Sequence, residues 1–410
     1  MSKSERIDGE MDDVAAPAGR ANPGHDSRKG RCAVRFAAAA FAGICLVCVA
    51  FGAWAISLGP LPLEKARRVS TTIVDRDGKL LRAYAMADGR WRLPVDAGKD
   101  VDPTYLNLLL AYEDQRFRSH GGVDPLALAR AAGQLITCGH IVSGGSTITM
   151  QLARLMEPRR QRSLYAKLHQ IVRALELDHE LNKDQILNLY LALAPYGGNL
   201  EGIRAASIAY FGKEPKRLSL TEAALLVALP QSPETRRLDR YPDRARAGRD
   251  RVLDRMVEEH RVSQEEAAQA KAVPVPRMRK PMPILAPHSA NQAVATTKDA
   301  PVIRLTLDSN LQKVLEPLVR DRAVALGPNI LVAIIVVDNE SGDALARVGS
   351  ADYAREEPLR VDGSGRGLGR GQCAIGHAAA GKCPIIIASR SRLERATATV
   401  TPGRSGSTAT

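Results

Sequence analysis

The sequence predicts a mainly α fold: one N-terminal transmembrane helix, a helical exported domain, and then a partial α/β unit. Three observations carry this reading. Residues 36–58, FAAAAFAGICLVCVAFGAWAISL, run without a charge. From Asp102 to about Met256, apolar residues recur at helical spacing between capping signals. Residues 303–353 alternate strand-like, helical and strand-like runs. The chain has 410 residues, 45% of them hydrophobic and 25% charged, which excludes a wholly disordered protein. Six Cys exclude a disulfide scaffold. A formal net charge of +13 points to an anionic partner.

The elements follow in order. At ~1.5 Å per residue, 36–58 crosses a hydrocarbon core of roughly 30 Å. Arg28, Lys29, Arg31 and Arg35 precede it, so the positive-inside rule keeps 1–35 cytoplasmic and exports the rest. The rival reading is a cleaved signal peptide, with Ala53-Trp54-Ala55 as the cleavage site. The length of the apolar run favours an uncleaved anchor. Cys45 and Cys48 read as small hydrophobes inside it. An exported body makes nucleic acid a poor partner and leaves the membrane, phosphates or cell-wall material.

Residues 71–74 and 80–83 read as strands around an Asp75-Arg76-Asp77-Gly78 turn. Asp102-Pro103 and Asp124-Pro125 each read as an N-cap followed by Pro at the first helical position. Asn182 with Gln185, and Ser219 with Glu222, read as capping boxes. Gly212 reads as a helix stop. Residues 272–287, Pro-rich and basic, read as an extended linker. Beyond it come a strand at 303–307, a helix at 311–326 and strands at 330–337 and 344–348. After Tyr353 the chain turns rich in Gly, Arg, Ser and Thr. That tail reads as packing no core, and the abrupt break suggests a truncated or out-of-frame end.

Candidate site residues lie in the helical body. Leu106, Leu109, Leu110, Glu113 and Phe117 fall on one helical stripe, which places Glu113 among apolar neighbours. Such a carboxylate is either ion-paired with Arg116, Arg118 or a distant Arg, or it walls a cleft. In a cleft, desolvation raises its pKa toward the range of a general acid or base. Asp114 lies one residue round, and His120 lies at the helix exit. Gly144-Gly145-Ser146-Thr147 opens a second helix, where free N–H groups suit a phosphate or simply make a turn. Thr147, Gln151 and Arg154 form a polar stripe beside the apolar Ile148, Leu152 and Leu155. A third helix puts Lys167, Gln170 and Ala174 on one face and Leu164, Leu168, Ile171 and Leu175 on the other. Lys167 either neutralises a leaving phosphate or is an ordinary solvated lysine.

Four segments together resemble the peptidoglycan glycosyltransferase domain, family 51. Residues 113–122, EDQRFRSHGG, resemble the motif E-D-x-x-F-x-x-H-x-G. Residues 145–152, GSTITMQL, resemble G-x-S-T-I-T-x-Q. KDQILNLYL at 183–191 and GIRAASIAYFG at 202–212 resemble the fourth and fifth motifs. APYGGN at 194–199 and ALPQSP at 228–233 look most like class A penicillin-binding proteins of the 1C type. The resemblance implies a lysozyme-like helical fold with a membrane-proximal cleft, polymerising lipid II. It implies Glu113 as general base, with undecaprenyl pyrophosphate as leaving group. Ser146, Thr147 and Gln151 would hold the donor, and Arg154 and Lys167 would meet the pyrophosphate. Asp114, Phe117 and His120 would shape the site. No metal ligands are assigned, although the resemblance allows a divalent metal, Mg or Mn, at the pyrophosphate.

The third motif departs from the family pattern R-K-x-x-E. Gln170 stands at its glutamate and Ala166 at its arginine, which puts metal dependence and turnover in question. Class A members continue into a penicillin-binding transpeptidase domain, and 303–353 look like its beginning. No S-x-x-K or K-T-G follows, so transpeptidation is expected to be absent. The expected division is a cytoplasmic tail at 1–35, a signal-anchor at 36–58 and the glycosyltransferase domain at 59–271. A linker at 272–302, an incomplete transpeptidase domain at 303–353 and the tail at 354–410 complete it. The expected setting is the bacterial inner membrane, single-pass, with the catalytic domain periplasmic. Expected partners are lipid II, the growing glycan strand, the membrane and cell-wall synthesis proteins. A lytic lysozyme-like enzyme and a catalytically impaired lipid II or cell-wall scaffold are the rival readings.

Overall fold

A computed structural model describes residues 26–138, 145–158, 163–297, 300–326 and 332–349, and a strand at 385–389. Ser143, Gly144, Cys373, Cys383 and most of the tail beyond Tyr353 lie outside the described residues. Helix α1 (Asp26–Ser57) covers the uncharged run up to Ser57 and begins ten residues before it. Its segment Ala38–Ser57 is long and apolar enough to cross a membrane, with a mean hydropathy of 2.3. Cys45 and Cys48 are exposed and free within it.

The rest opens with α2 (Leu63–Arg67) and strands β1 (Thr72–Val74), β2 (Leu80–Ala83) and β3 (Trp91–Arg92). Helices α3 (Ala97–Asp100), α4 (Pro103–Glu113), α5 (Pro125–Cys138), α6 (Ile148–Met156), α7 (Leu164–Glu180) and α8 (Lys183–Leu193) follow. Then come β4 (Leu200–Glu201), α9 (Ile203–Phe211), α10 (Leu220–Ala228), a 3-10 turn at Leu229–Gln231, α11 (Pro242–Glu258) and α12 (Gln264–Ala272). Predicted caps are in place. The Asp102 carboxylate accepts from Thr104 N at 2.8 Å, and both capping boxes are complete. Gly212 ends α9 with φ +75°, a conformation that costs a Cβ-bearing residue about 1–2 kcal/mol.

One large apolar core joins α4, α6, α8, α9, α10 and α11. Four buried tyrosines sit in it, and their hydroxyls need partners. Tyr105 and Tyr196 share a hydrogen bond of 2.9 Å, and Tyr210 donates to Tyr196 O at 2.7 Å. Burial raises the phenol pKa of Tyr105 and Tyr196, so both stay neutral.

The structure departs from the sequence reading in four places. First, α4 stops at Glu113, so Phe117 lies beyond the helix rather than on its stripe. Asp114 leaves helical geometry (φ −160°, ψ 77°) because its carboxylate serves another helix. Second, the linker range contains α13 (Pro287–Thr296), and the Pro-rich strap before it is docked. Arg279 donates to Gly197 O at 2.9 Å, and Lys280 N donates to Ala209 O at 2.7 Å. Third, strand β5 (Val302–Arg304) pairs in parallel with β1 instead of joining the later strands. Asp75 reinforces that pairing: its carboxylate accepts from Asp77 N, Lys79 N and Ser309 N. Ser309 begins α14 (Ser309–Leu326), so Asp75, 234 positions away, satisfies its first N–H, while Asp308 Oδ1 accepts from Asn310 N and Leu311 N. Strands β6 (Ala333–Val337) and β7 (Ala344–Val348) pair antiparallel over a second small core. Fourth, β8 (Ile385–Ser389) pairs in parallel with β6, inside the tail read as packing nothing. Its apolar β-branched triplet Ile385-Ile386-Ile387 explains the pairing.

The faces of α7 are also redistributed. Leu164 is 91% exposed, and Leu168, Leu175 and Tyr165 are exposed beside it. The buried face is Ala166, His169, Val172, Arg173, Ala174 and Leu177. Arg173 and His169 go inside because Glu157 meets both. Arg173 reaches it at 2.9 Å and His169 at 3.1 Å, while Glu176 takes Arg173's other nitrogen at 2.7 Å.

Candidate active site

Two adjacent carboxylates at the end of α4 do different work. Asp114 is buried. It accepts from Ile148 N at 2.9 Å and meets His120 Nε2 at 2.9 Å. Ile148 N belongs to the first turn of α6, where the four leading N–H groups lack helical partners. Thr147 satisfies another, accepting from Met150 N at 3.1 Å, and donates its own hydroxyl to Gly122 O at 2.6 Å. Thr147 is therefore a buried helix cap, not an open donor ligand. The turn after Asp114 is braced by Phe117, which is fully buried with the Lys183 ammonium 5.1 Å from its ring. Lys183 also donates to His120 O at 2.6 Å. His120 Nδ1 is buried and finds no partner among the described residues.

Glu113, by contrast, is half-buried and faces outward. Oε2 accepts from Gln151 Nε2 at 2.7 Å, and Oε1 accepts from Gln231 Nε2 at 2.8 Å. Neither Arg116 nor Arg118 pairs with it. They take Asp124 and Asp184. Among the described residues Glu113 belongs to no ion pair, so the ion-paired alternative does not hold. Beneath it, the buried Tyr190 hydroxyl donates to Gln151 Oε1 at 3.4 Å. Burial, then the nearby Glu113 charge, pushes that phenol well above its ordinary value, while Arg154 opposes them.

Lys167 on α7 is half-buried and donates to Ser146 Oγ, which joins α7 to the start of α6. Burial, then repulsion from Arg154, lowers its pKa. Arg154 is exposed on the last turn of α6, and Gln170 is half-buried one turn beyond Lys167. The predicted residues thus form a carboxylate site with neutral donors (Glu113, Gln151) and a cationic pair (Lys167, Arg154). Gln231 and Arg236 were not singled out in the sequence. Gln231 had only the ALPQSP segment, read as a likeness and not as a site, and Arg236, three residues beyond it, had no signal.

Residues 77–257 match the Transglycosylase family. They are a transglycosylase domain. Beyond that domain the similarity extends further along the chain. Penicillin-binding protein 1C of Escherichia coli K12 is 44% identical over 301 residues, covering 73% of this chain and 39% of its own length. Penicillin-binding protein 1A of Pseudomonas aeruginosa is 36% identical over 220 residues, covering 52% of this chain and 26% of its own. The 1A protein of Aquifex aeolicus is 40% identical over 206 residues, covering 50% and 28%. The chain therefore spans less than half the length of these relatives. The transglycosylase domain holds the whole carboxylate site, from Glu113 to Gln231, and Arg236 with it.

Proposed function

We propose that the chain is a peptidoglycan glycosyltransferase that polymerises lipid II, with Glu113 as general base. The observation that carries this reading is the Glu113 carboxylate, fixed by two neutral amides and in no ion pair among the described residues. A cation in contact would hold a carboxylate low and weaken it as a base. The acceptor's 4-hydroxyl gives its proton to Glu113, and its oxygen forms a bond to the donor's anomeric carbon. The bond from that carbon to pyrophosphate breaks, with inversion. Undecaprenyl pyrophosphate leaves with the electron pair, and Lys167 and Arg154 stabilise its charge.

Helix α7 supports a lipid-linked substrate. Leu164, Tyr165, Leu168 and Leu175 are exposed on the helix that carries Lys167. A polyprenyl pyrophosphate offers an apolar tail next to phosphates, and this juxtaposition suits both. The apolar α1 suits a membrane anchor with the catalytic domain on the periplasmic side. The charge at the leaving group is assigned here to this chain's own cations and not to a divalent metal. Among the described residues no three His, Cys, Asp or Glu side chains cluster as ligands, and Lys167 and Arg154 are themselves cations. No step is routed through one.

The test is to incubate the purified chain with labelled lipid II, and separately with pre-made glycan. Polymer from lipid II is expected. No polymer favours a lipid II or cell-wall scaffold, and shortened pre-made glycan favours a lytic enzyme. Either result overturns the reading.

A further inference from the structure

Glu113 carries two amide donors, and only one of them, Gln151, comes from the helix that the site shares with Thr147 and Arg154. The other, Gln231, comes from the 3-10 turn after α10. A glutamine is ambiguous as a partner, because its amide can turn either its oxygen or its nitrogen outward. Here each amide is fixed from behind. Tyr190 donates to Gln151 Oε1 at 3.4 Å, and Arg236 Nη1 donates to Gln231 Oε1 at 3.2 Å. Arginine has only donors, so Gln231 must present its oxygen to Arg236 and its NH2 group to Glu113.

Arg236 is itself seated. Its backbone N donates to Ser232 O at 3.0 Å, and Nη1 also donates to Ala228 O. Gly248 lies across from it, in the middle of α11 and buried. Glycine inside a helix costs roughly 0.5–1 kcal/mol relative to alanine. A Cβ at Gly248 would stand 3.3 Å from Arg236 Cδ and Nε, tighter than ordinary contact. The helix accepts a poor helix former where the arginine passes.

We propose that Gln231, oriented by Arg236, is a positioning residue for Glu113. It fixes Oε1 from one side as Gln151 fixes Oε2 from the other, and each oxygen keeps a lone pair for the incoming hydroxyl. Because Gln231 is neutral, it orients the carboxylate without cancelling its charge. The cationic Arg236 is kept one residue further back. This inference rests on the glycosyltransferase reading for its kinetic consequence, and on geometry alone for its electrostatic one.

The test uses the full chain in detergent, with Gln231→Ala and Arg236→Met. Glutamate labelled with 13C at the side-chain carboxyl reports Glu113, assigned by difference against Glu113→Gln. At one neutral pH, Gln231→Ala is expected to move the Glu113 carboxyl resonance, because one of its two amide donors is lost. Turnover at that pH should fall about tenfold with KM changed less than twofold, as expected when a reacting group loses its placement. Arg236→Met should move the resonance the same way by less, because it only releases the Gln231 amide. A Glu113 carboxyl resonance left in place by Gln231→Ala overturns the proposal, whatever happens to stability. If the native chain makes no polymer, the glycosyltransferase reading falls, and the 13C resonance still decides the role of Gln231.

Discussion

Replacing Gly122 by alanine tests how the loop after Glu113 is held. Gly122 has φ +77°, and a Cβ there would lie 2.3 Å from Ala174 O and 2.8 Å from Ala174 C. Both atoms belong to the backbone of α7, so no side-chain rotation relieves the clash. The left-handed conformation costs alanine about 1–2 kcal/mol. Forcing helix and loop apart adds about 1–3 kcal/mol. A total near 3 kcal/mol lowers Tm by about 6–12 °C in a domain of this size. The shift also reaches the site, because Gly122 O accepts from Thr147, and Thr147 caps the helix that carries Gln151. Thermal unfolding by circular dichroism reads the first effect, and lipid II turnover reads the second. Gly133→Ala on α5 is the control, since a Cβ there meets nothing within 4 Å. It should be neutral or stabilising by up to about 1 kcal/mol. A Gly122→Ala variant with Tm within 1 °C of the native chain would refute the packing described.

Two further predictions follow from the same geometry. Burial and Arg154 depress the Lys167 pKa, so the cation is lost as pH rises through that lowered value. Arg154→Gln removes the repulsion, and the alkaline limb of the kcat/KM profile should move to higher pH, although total turnover falls; a shift to lower pH would contradict the pairing. Tyr105→Phe leaves the buried Tyr196 hydroxyl without its 2.9 Å partner, at a cost of about 1–3 kcal/mol. Urea unfolding should show a lower midpoint with an unchanged slope.

The helix boundaries were legible because their signals are local. Asp102, Asn182 and Ser219 cap helices with side chains that reach only two or three residues on, and Gly212 ends one by its own φ. The misreadings all involve partners far along the chain. Nothing near Asp114 shows that its carboxylate will cap a helix starting at Ile148 and so end α4 at Glu113. On α7, periodicity gave the stripe of Leu164, Leu168 and Leu175, but which face is buried was decided by Glu157 receiving Arg173 and His169. Strand β5 looked local to α14, yet it pairs with β1, more than two hundred residues earlier. The site was legible in its kinds of residue and not in its pairings. Glu113 and Gln151 were both singled out, but the second amide on Glu113 comes from 118 positions away.

The central claim is that Glu113 takes the proton of the attacking hydroxyl, and Glu113→Gln tests it most directly. Glutamine keeps the shape and removes the base. Steady-state polymerisation of labelled lipid II should fall by about a thousandfold, within the range that general-base catalysis contributes, with Tm within about 2 °C of native. Polymerisation within tenfold of the native rate would mean that Glu113 is not the base.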